Sequence, residues 1–327
     1  MPKQREIWVD NVKVIACILV LLGHFFQSMT KSNVLPANDL YQWFNQTIYM
    51  FHVPLFFICS GYLYQKYSRV DDIRSWIKNV LKKALNLGIP YFTFSFATWL
   101  LKTVFSGSTN DEIGGVFDTL FLHPTSPYWY LYALFFIFLI TPTFRSRRMA
   151  ISGLAIAFIL KTLGIIWGGG QDIQAIQYIL DREIWFVIGM CLSVFEFKAF
   201  TKITTSVVAG LTLIALSVAA HLAGIENGFI GFGLGVLACF SVIGIVMSGS
   251  KQSWWLSQYT MPIFLMHTLF AAPLRTVLFK LGIQNAIIHV VLGIGISIVG
   301  PTVAGMVMKK MKWPEFFLYS GKFIKVK

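Results

Sequence analysis

The run VKVIACILVLLGHFF (residues 12–26) carries two basic side chains in an otherwise apolar stretch, Lys13 near its start and His24 near its end. An apolar run of this kind reads as a transmembrane helix, with Lys13 at the membrane edge and His24 past the bilayer middle. Eleven steps of about 100° return close to the starting face, so the two side chains share one face about 16 Å apart along the axis. Ionisable groups at membrane depth are costly, and the pair is the first functional clue.

The rest of the chain supports the membrane reading. Of 327 residues 56% are hydrophobic and only 13% charged, with a mean hydropathy of +0.67. A soluble globular protein carries about 25% charged residues. The longest polar interval is the basic loop from Lys66 to Lys83, and no stretch is long enough for a soluble domain. The expected organisation is a single integral-membrane domain over residues 1–327, ending in a short basic tail, 309–327. Lys3 and Arg5 precede the first apolar run as in a signal peptide, but Asp10 and Lys13 abut the run and no small-residue cleavage site follows, so an uncleaved first span is expected. Cys17, Cys59, Cys191 and Cys239 stand singly in apolar runs, which implies free buried thiols rather than a disulfide or metal framework.

The expected fold class is all-α, a polytopic membrane protein with about ten transmembrane helices around a central polar cavity. Each span has the length needed for about 30 Å of hydrocarbon, and they cover about 12–30, 42–64, 84–105, 127–144, 149–167, 179–197, 203–223, 228–247, 257–279 and 285–308. With the N-terminus inside and each span crossing once, twenty-one lysines and arginines fall inside and four outside, namely Lys31, Lys102, Arg182 and Lys280. This split follows the positive-inside rule, places both termini in the cytoplasm, and explains the formal charge of +13 without nucleic acid. The longest outside loop carries Asp111, Glu112, Asp118 and His123 and ends in PTSPYWYLY; it reads either as a solvated connector with an interfacial aromatic belt or as a contact for an extracellular acceptor. No internal repeat of the kind built into secondary transporters is present.

Four polar side chains, His24, His52, Lys161 and His267, count to a similar depth, about 15–18 Å from the inner edge of their spans. Three histidines and a lysine at one level suggest a shared polar cavity, with a helix–helix hydrogen bond as the plainer explanation for any one of them. A neutral imidazole takes a proton from a hydroxyl nucleophile or attacks an activated acyl group itself. Lys13 either anchors the span at the headgroups or offers an ammonium to a phosphate, and Asp10 one turn earlier is positioned to pair with it. Ser60 and Gly61 permit close approach by another helix or a thin ligand. No G-x-S-x-G elbow, HExxH or Walker loop occurs, which argues against a serine hydrolase or metalloenzyme.

At these residues the chain resembles acyltransferase family 3, the membrane-bound O-acyltransferases of surface polysaccharides. Asp10-Asn-Val-Lys13, followed by ten residues and His24, matches the family's basic-x10-His opening, with lysine where arginine is usual. FHVPLFFICSGYLY (51–64) is similar to its Phe-Phe-x-x-Ser-Gly signature, PYWYLYALFFIFLITP (127–142) to its tryptophan-bearing span, and SQYTMPIFLMHTLF (257–270) to the late span with a second histidine. The family's Arg-x-x-Arg motif has only Lys78-Asn-Val-Leu-Lys82-Lys83 as a counterpart, and lysine lacks the bidentate fork.

The resemblance implies transfer of an acyl group, usually acetyl, from cytoplasmic acyl-CoA to a hydroxyl of a cell-surface glycan or lipid-linked sugar at the plasma membrane. In that scheme His24, with Asp10, Ser60 and His267, does the chemistry. Lys13, Lys82, Lys83, Trp129 and Arg275 hold acetyl-CoA or its acceptor, and no metal takes part. Some members carry a fused extracytoplasmic domain; the short stretch after the last span leaves no room for one here, so a separate extracytoplasmic partner or direct transfer is expected. The competing classes are a transporter or flippase for lipid-linked sugars, and a non-enzymatic scaffold for a glycan synthase.

Overall fold

A computed structural model of the chain describes residues 5–68, 70, 72–105, 114–167, 174–195, 202–225 and 227–324. Lys3, Arg69, Asp111, Glu112, Lys198 and the 168–170 glycines lie outside the described residues. Helices follow from the hydropathy, because a backbone in hydrocarbon must satisfy every N–H and C=O within its own segment. In chain order they are α1 (Ile7–Lys31), α2 (Asp39–Tyr49), α3 (His52–Tyr67), α4 (Ile73–Lys83), α5 (Ile89–Val104), α6 (Trp129–Ile140), α7 (Arg147–Trp167), α8 (Gln174–Phe195), α9 (Ile203–Leu222), α10 (Gly228–Gly249), α11 (Thr260–Lys280), α12 (Ala286–Met311) and the short α13 (Phe316–Tyr319). No strand occurs among the described residues.

Among the described residues eight helical stretches are long and apolar enough to cross a membrane. The expected count of ten differs at two places. The tryptophan-bearing span is only twelve residues long, Trp129–Ile140, because Pro142 forbids helix at Thr141. The sixth has ample length but carries Asp181, Arg182 and Glu183 in sequence. Arg182, counted as an outside charge from the sequence, sits inside α8.

Two further departures have local causes. The second expected span is broken at Met50–Phe51, between α2 and α3. Pro54 has no N–H to offer the carbonyl four residues back, and its ring crowds that carbonyl. His52 takes up part of the loss, its Nδ1 lying 2.5 Å from the Ile48 carbonyl. The freed Met50 carbonyl faces Gly235 on α10, where a β-carbon would stand 2.6 Å from it.

The Lys66–Lys83 interval, in turn, is largely helix. Asp72 caps α4, accepting from the Ser75 amide at 2.7 Å, while the Asp72 amide donates to the Ser75 hydroxyl at 3.0 Å. The Ser75 hydroxyl and amide together hold the Asp72 carboxyl below its ordinary range. Ile73, Ile77 and Leu81 form one exposed row along α4, at 77%, 47% and 50% exposure, and Arg74, Lys78 and Lys82 form the next.

The core is built where α3 crosses α8. A β-carbon on Gly61 would lie 1.9 Å from the Phe186 carbonyl oxygen, and one on Gly189 would lie 2.0 Å from that of Ile58. The two backbones therefore touch at a pair of glycines, one from each helix. α1 and α11 pack beside this pair, with α6 and α10 around them, and the interior is rich in aromatic rings. α7 and α9 lie at the periphery with much of their apolar surface exposed, as lipid-facing helices require. Cys17, Cys59, Cys191 and Cys239 are buried and free of disulfides.

Candidate functional site

Three helices carry the same order of side chains along their length. On α3, Ser60, Phe56 and His52 follow one another at four-residue steps, so they line one face. On α11 the order is Thr260, Phe264 and His267, and on α1 it is Lys13 and His24. Each series runs from the bundle face near residue 13 toward the opposite face. The result is a polar level, an aromatic level and a histidine level stacked along the bundle axis.

The histidine level is compact. The rings of His24 and His267 stack with centroids 5.5 Å apart, Tyr49 meets His24 edge-on at 6.4 Å, and Tyr49 meets His52 at 4.5 Å. His267 Nδ1 lies 3.0 Å from both the Ile263 and Phe264 carbonyls. That contact fixes the proton on Nδ1 and leaves Nε2 as a lone-pair acceptor, buried and without a hydrogen-bond partner among the described residues. His24 Nε2 lies 3.2 Å from the hydroxyl of Ser126, in the loop before α6. Lys161, expected at this level, is elsewhere: its ammonium donates to Asp181 on α8 at 3.0 Å, and Gln177 donates to the same carboxylate at 2.8 Å.

The aromatic level consists of Phe56, Tyr130 and Phe264, whose centroids are 5.5–5.8 Å apart. Beneath it opens a pocket of about 420 Å³, lined among others by Lys13, Ser60, Asn86, Thr260, Tyr319 and Lys322. Ser60 and the Tyr130 hydroxyl lie 3.1 Å apart on its wall. Gly61, the other half of the Ser-Gly pair, is spent on the contact with α8. The pocket is within the size range of ordinary small-molecule sites, of order 300–1,000 Å³. Among the described residues Lys13 has no ion-pair partner, because Asp10 is engaged by Arg5 and by Ser253 rather than by Lys13.

The other residues singled out from the sequence fall outside these three levels. Lys82 stands in the exposed basic row of α4. Lys83 places its ammonium 3.7 Å from the centre of the Phe138 ring. Trp129 stacks on Tyr178 at 5.0 Å, with the Arg182 guanidinium over its ring at 5.3 Å. Arg275 is buried and donates to the Ser28 carbonyl at 3.2 Å and to the Ser28 hydroxyl, tying α11 to α1.

Ser126, Tyr49, Tyr130, Asn86, Tyr319 and Lys322 were not singled out from the sequence. Ser126 sits 102 positions from His24, beyond any helical periodicity; the only signal for Tyr49 was its place three residues before His52. Among the described residues no group of three or more His, Cys, Asp or Glu side chains is placed to hold a metal.

Outside the spans, Glu6 is the main electrostatic knot. It receives Lys66 and the Tyr67 hydroxyl, each at 2.6 Å, and the Tyr62 hydroxyl at 3.4 Å. Burial pushes its carboxyl up, but these hydrogen bonds and the Lys66 charge outweigh burial and hold it below the usual range.

Comparison with known proteins places this arrangement in context. The chain is 28% identical over 170 residues to nodulation protein NolL of Mesorhizobium japonicum, covering 49% of this chain and 43% of that protein. It is 33% identical over 175 residues to NolL of Sinorhizobium fredii, covering 50% and 44%. Inner membrane protein YcfT of Escherichia coli is 24% identical over 220 residues, 56% of this chain and 57% of that one. The matched regions thus span about half the length of these curated relatives. No solved structure matches the chain. The acyltransferase domain profile, however, matches residues 6–306, nearly the whole chain, and the protein belongs to acyltransferase family 3.

Proposed function

We propose that the chain is an acyl-CoA-dependent O-acyltransferase of the plasma membrane, with both termini in the cytoplasm. It moves an acyl group, acetyl by preference, to a hydroxyl of a cell-surface or lipid-linked glycan. The orientation rests on the distribution of lysine and arginine, and the name of the inner-membrane relative agrees with the location. The observation that carries the reading is the axial order: a cation-bearing pocket at the Lys13 end and a pair of stacked imidazoles at the other, on shared helix faces.

In this reading the pocket takes the donor and the histidine level takes the acceptor. The acceptor hydroxyl gives its proton to an imidazole as its oxygen attacks the thioester carbonyl. The carbon–sulfur bond breaks, and the departing thiolate collects the proton. Ser126 holds a hydroxyl 3.2 Å from His24 Nε2, the distance at which an acceptor hydroxyl would be deprotonated. A separate extracytoplasmic partner is not required for this first transfer.

The test is release of free CoA from acetyl-CoA by purified, reconstituted protein given an envelope glycan extract. Loss of a positioned general base costs about 10²–10⁴-fold, so His24→Ala is expected to fall by that factor with unchanged membrane expression. Acceptor movement across vesicles with no CoA release at all would favour a flippase instead. Normal acylation by a folded His24→Ala protein would remove His24 from the chemistry.

A further inference from the structure

We propose that the segment after α12 forms part of the donor site and that Lys322 binds the phosphate-bearing end of the acyl donor opposite Lys13. This inference rests on the donor reading given above. From the sequence, residues 309–327 looked like a plain basic tail. In the structure α12 runs to Met311, the backbone reverses at Lys312 with φ of +62°, and residues 313–324 fold back against the bundle.

The docking is specific. Leu318 and Ser320 are buried, and the Ser320 hydroxyl donates to the Leu85 carbonyl at 2.7 Å. Leu85 belongs to the π-helical turn Ala84–Gly88 between α4 and α5, and its carbonyl also accepts from the Ile89 amide, so the Ser320 hydroxyl is a second donor to the same oxygen. Tyr319 is held over the pocket, and burial together with the Glu315 carboxylate pushes its phenol up to about 12. It therefore stays neutral at physiological pH.

Tyr319 and Lys322 from this segment line the same pocket as Lys13 and Ser60. The Lys322 ammonium donates to Glu315 at 2.6 Å and lies 4.5 Å from the centre of the Tyr319 ring. Its side chain remains 55% exposed. Lys322 is thus a cation parked on a carboxylate at the pocket wall, and a phosphate is the ligand chemistry that outcompetes a carboxylate for an ammonium. Lys13 lines the same pocket and has no carboxylate partner among the described residues. An acyl donor with a polyphosphate end and an apolar arm fits both halves: phosphates between the two ammoniums, arm toward Phe56, Met261 and Phe264.

The experiment measures binding of CoA and of pantetheine, which lacks the phosphates, to full-length detergent-solubilised protein. Lys322→Ala is expected to weaken CoA binding about tenfold and leave pantetheine binding unchanged, and Lys322→Arg is expected to restore most of the loss. The KM for acetyl-CoA should rise in parallel. Equal loss for both ligands would reduce Lys322 to a structural strut, and no loss for either would remove the segment from the donor site; both results overturn the proposal. Wild-type protein that binds no CoA would overturn the donor reading, and this inference with it.

Discussion

The glycine pair at the crossing of α3 and α8 gives the sharpest quantitative expectation. In Gly61→Ala the new methyl meets the Phe186 carbonyl oxygen at 1.9 Å and its carbon at 2.8 Å. Both atoms belong to a helix backbone, so no side-chain rotation relieves the clash. An ordinary carbon–oxygen contact is about 3.3 Å, so the helices must part by more than 1 Å, and a gap of 0.5–1 Å already forfeits about a quarter to a half of each contact's attraction. Overpacking costs about 1–3 kcal/mol, and this geometry belongs at the upper end. With an unfolding entropy of about 2.1 cal/mol/K per residue over 327 residues, 3 kcal/mol lowers the melting temperature by about 4 °C.

Gly189→Ala strikes the Ile58 carbonyl at 2.0 Å and should cost a similar amount. The same separation of α3 from α8 relieves both clashes. The double variant should therefore melt close to either single variant, with a favourable coupling of about 3 kcal/mol. The assay is thermal unfolding of the four proteins in one detergent, followed by fluorescence. Additive losses would refute the shared-separation argument, and an unchanged melting temperature in both single variants would refute the close crossing itself.

His267→Asn keeps a donor where Nδ1–H now bonds the Ile263 and Phe264 carbonyls and deletes the Nε2 lone pair. It should lower acyl transfer by about 10²-fold with little change in melting temperature, whereas full activity would exclude Nε2 from the proton path. Glu6 carries a depressed carboxyl in the fold, so its contribution to stability is present at neutral pH and is lost as pH falls through and below the ordinary carboxylate range. Glu6→Gln should flatten the loss of melting temperature between pH 5 and pH 3; an identical acid slope in both proteins would show that the Lys66 and Tyr67 contacts are not thermodynamically linked to folding.

The helices, and the common face of Lys13 and His24 on α1, were legible because both are local signals. Hydropathy marks spans residue by residue, and the eleven-residue step from Lys13 to His24 needs nothing but helix geometry. Errors arose where a neighbouring element decides. Pro54 was visible within FHVPLFF, but a continuous span still fitted the hydropathy, and the break becomes apparent only once the carbonyl of Met50 finds α10. Ile73, Ile77 and Leu81 form an apolar row so short and so interleaved with arginine and lysine that average polarity hid the helix. Arg182 was read as a loop charge because an arginine is expensive in lipid; the structure covers it with Trp129. The docking of residues 313–324 depends on the bend at Ala84–Gly88, more than two hundred positions earlier, and Ser126 reaches His24 across four intervening helices.

On the proposed function, the three rings of Phe56, Tyr130 and Phe264 carry a consequence for the cell. A catalyst that handles cargo from two compartments risks becoming a leak, since any standing column of water through its middle would short-circuit the proton gradient. Rings packed this closely would act as a gasket between the donor pocket and the histidine level, closing off a column of water until a slender arm parts them. Energy coupling would then be protected by the same hydrocarbon that a passing substrate displaces.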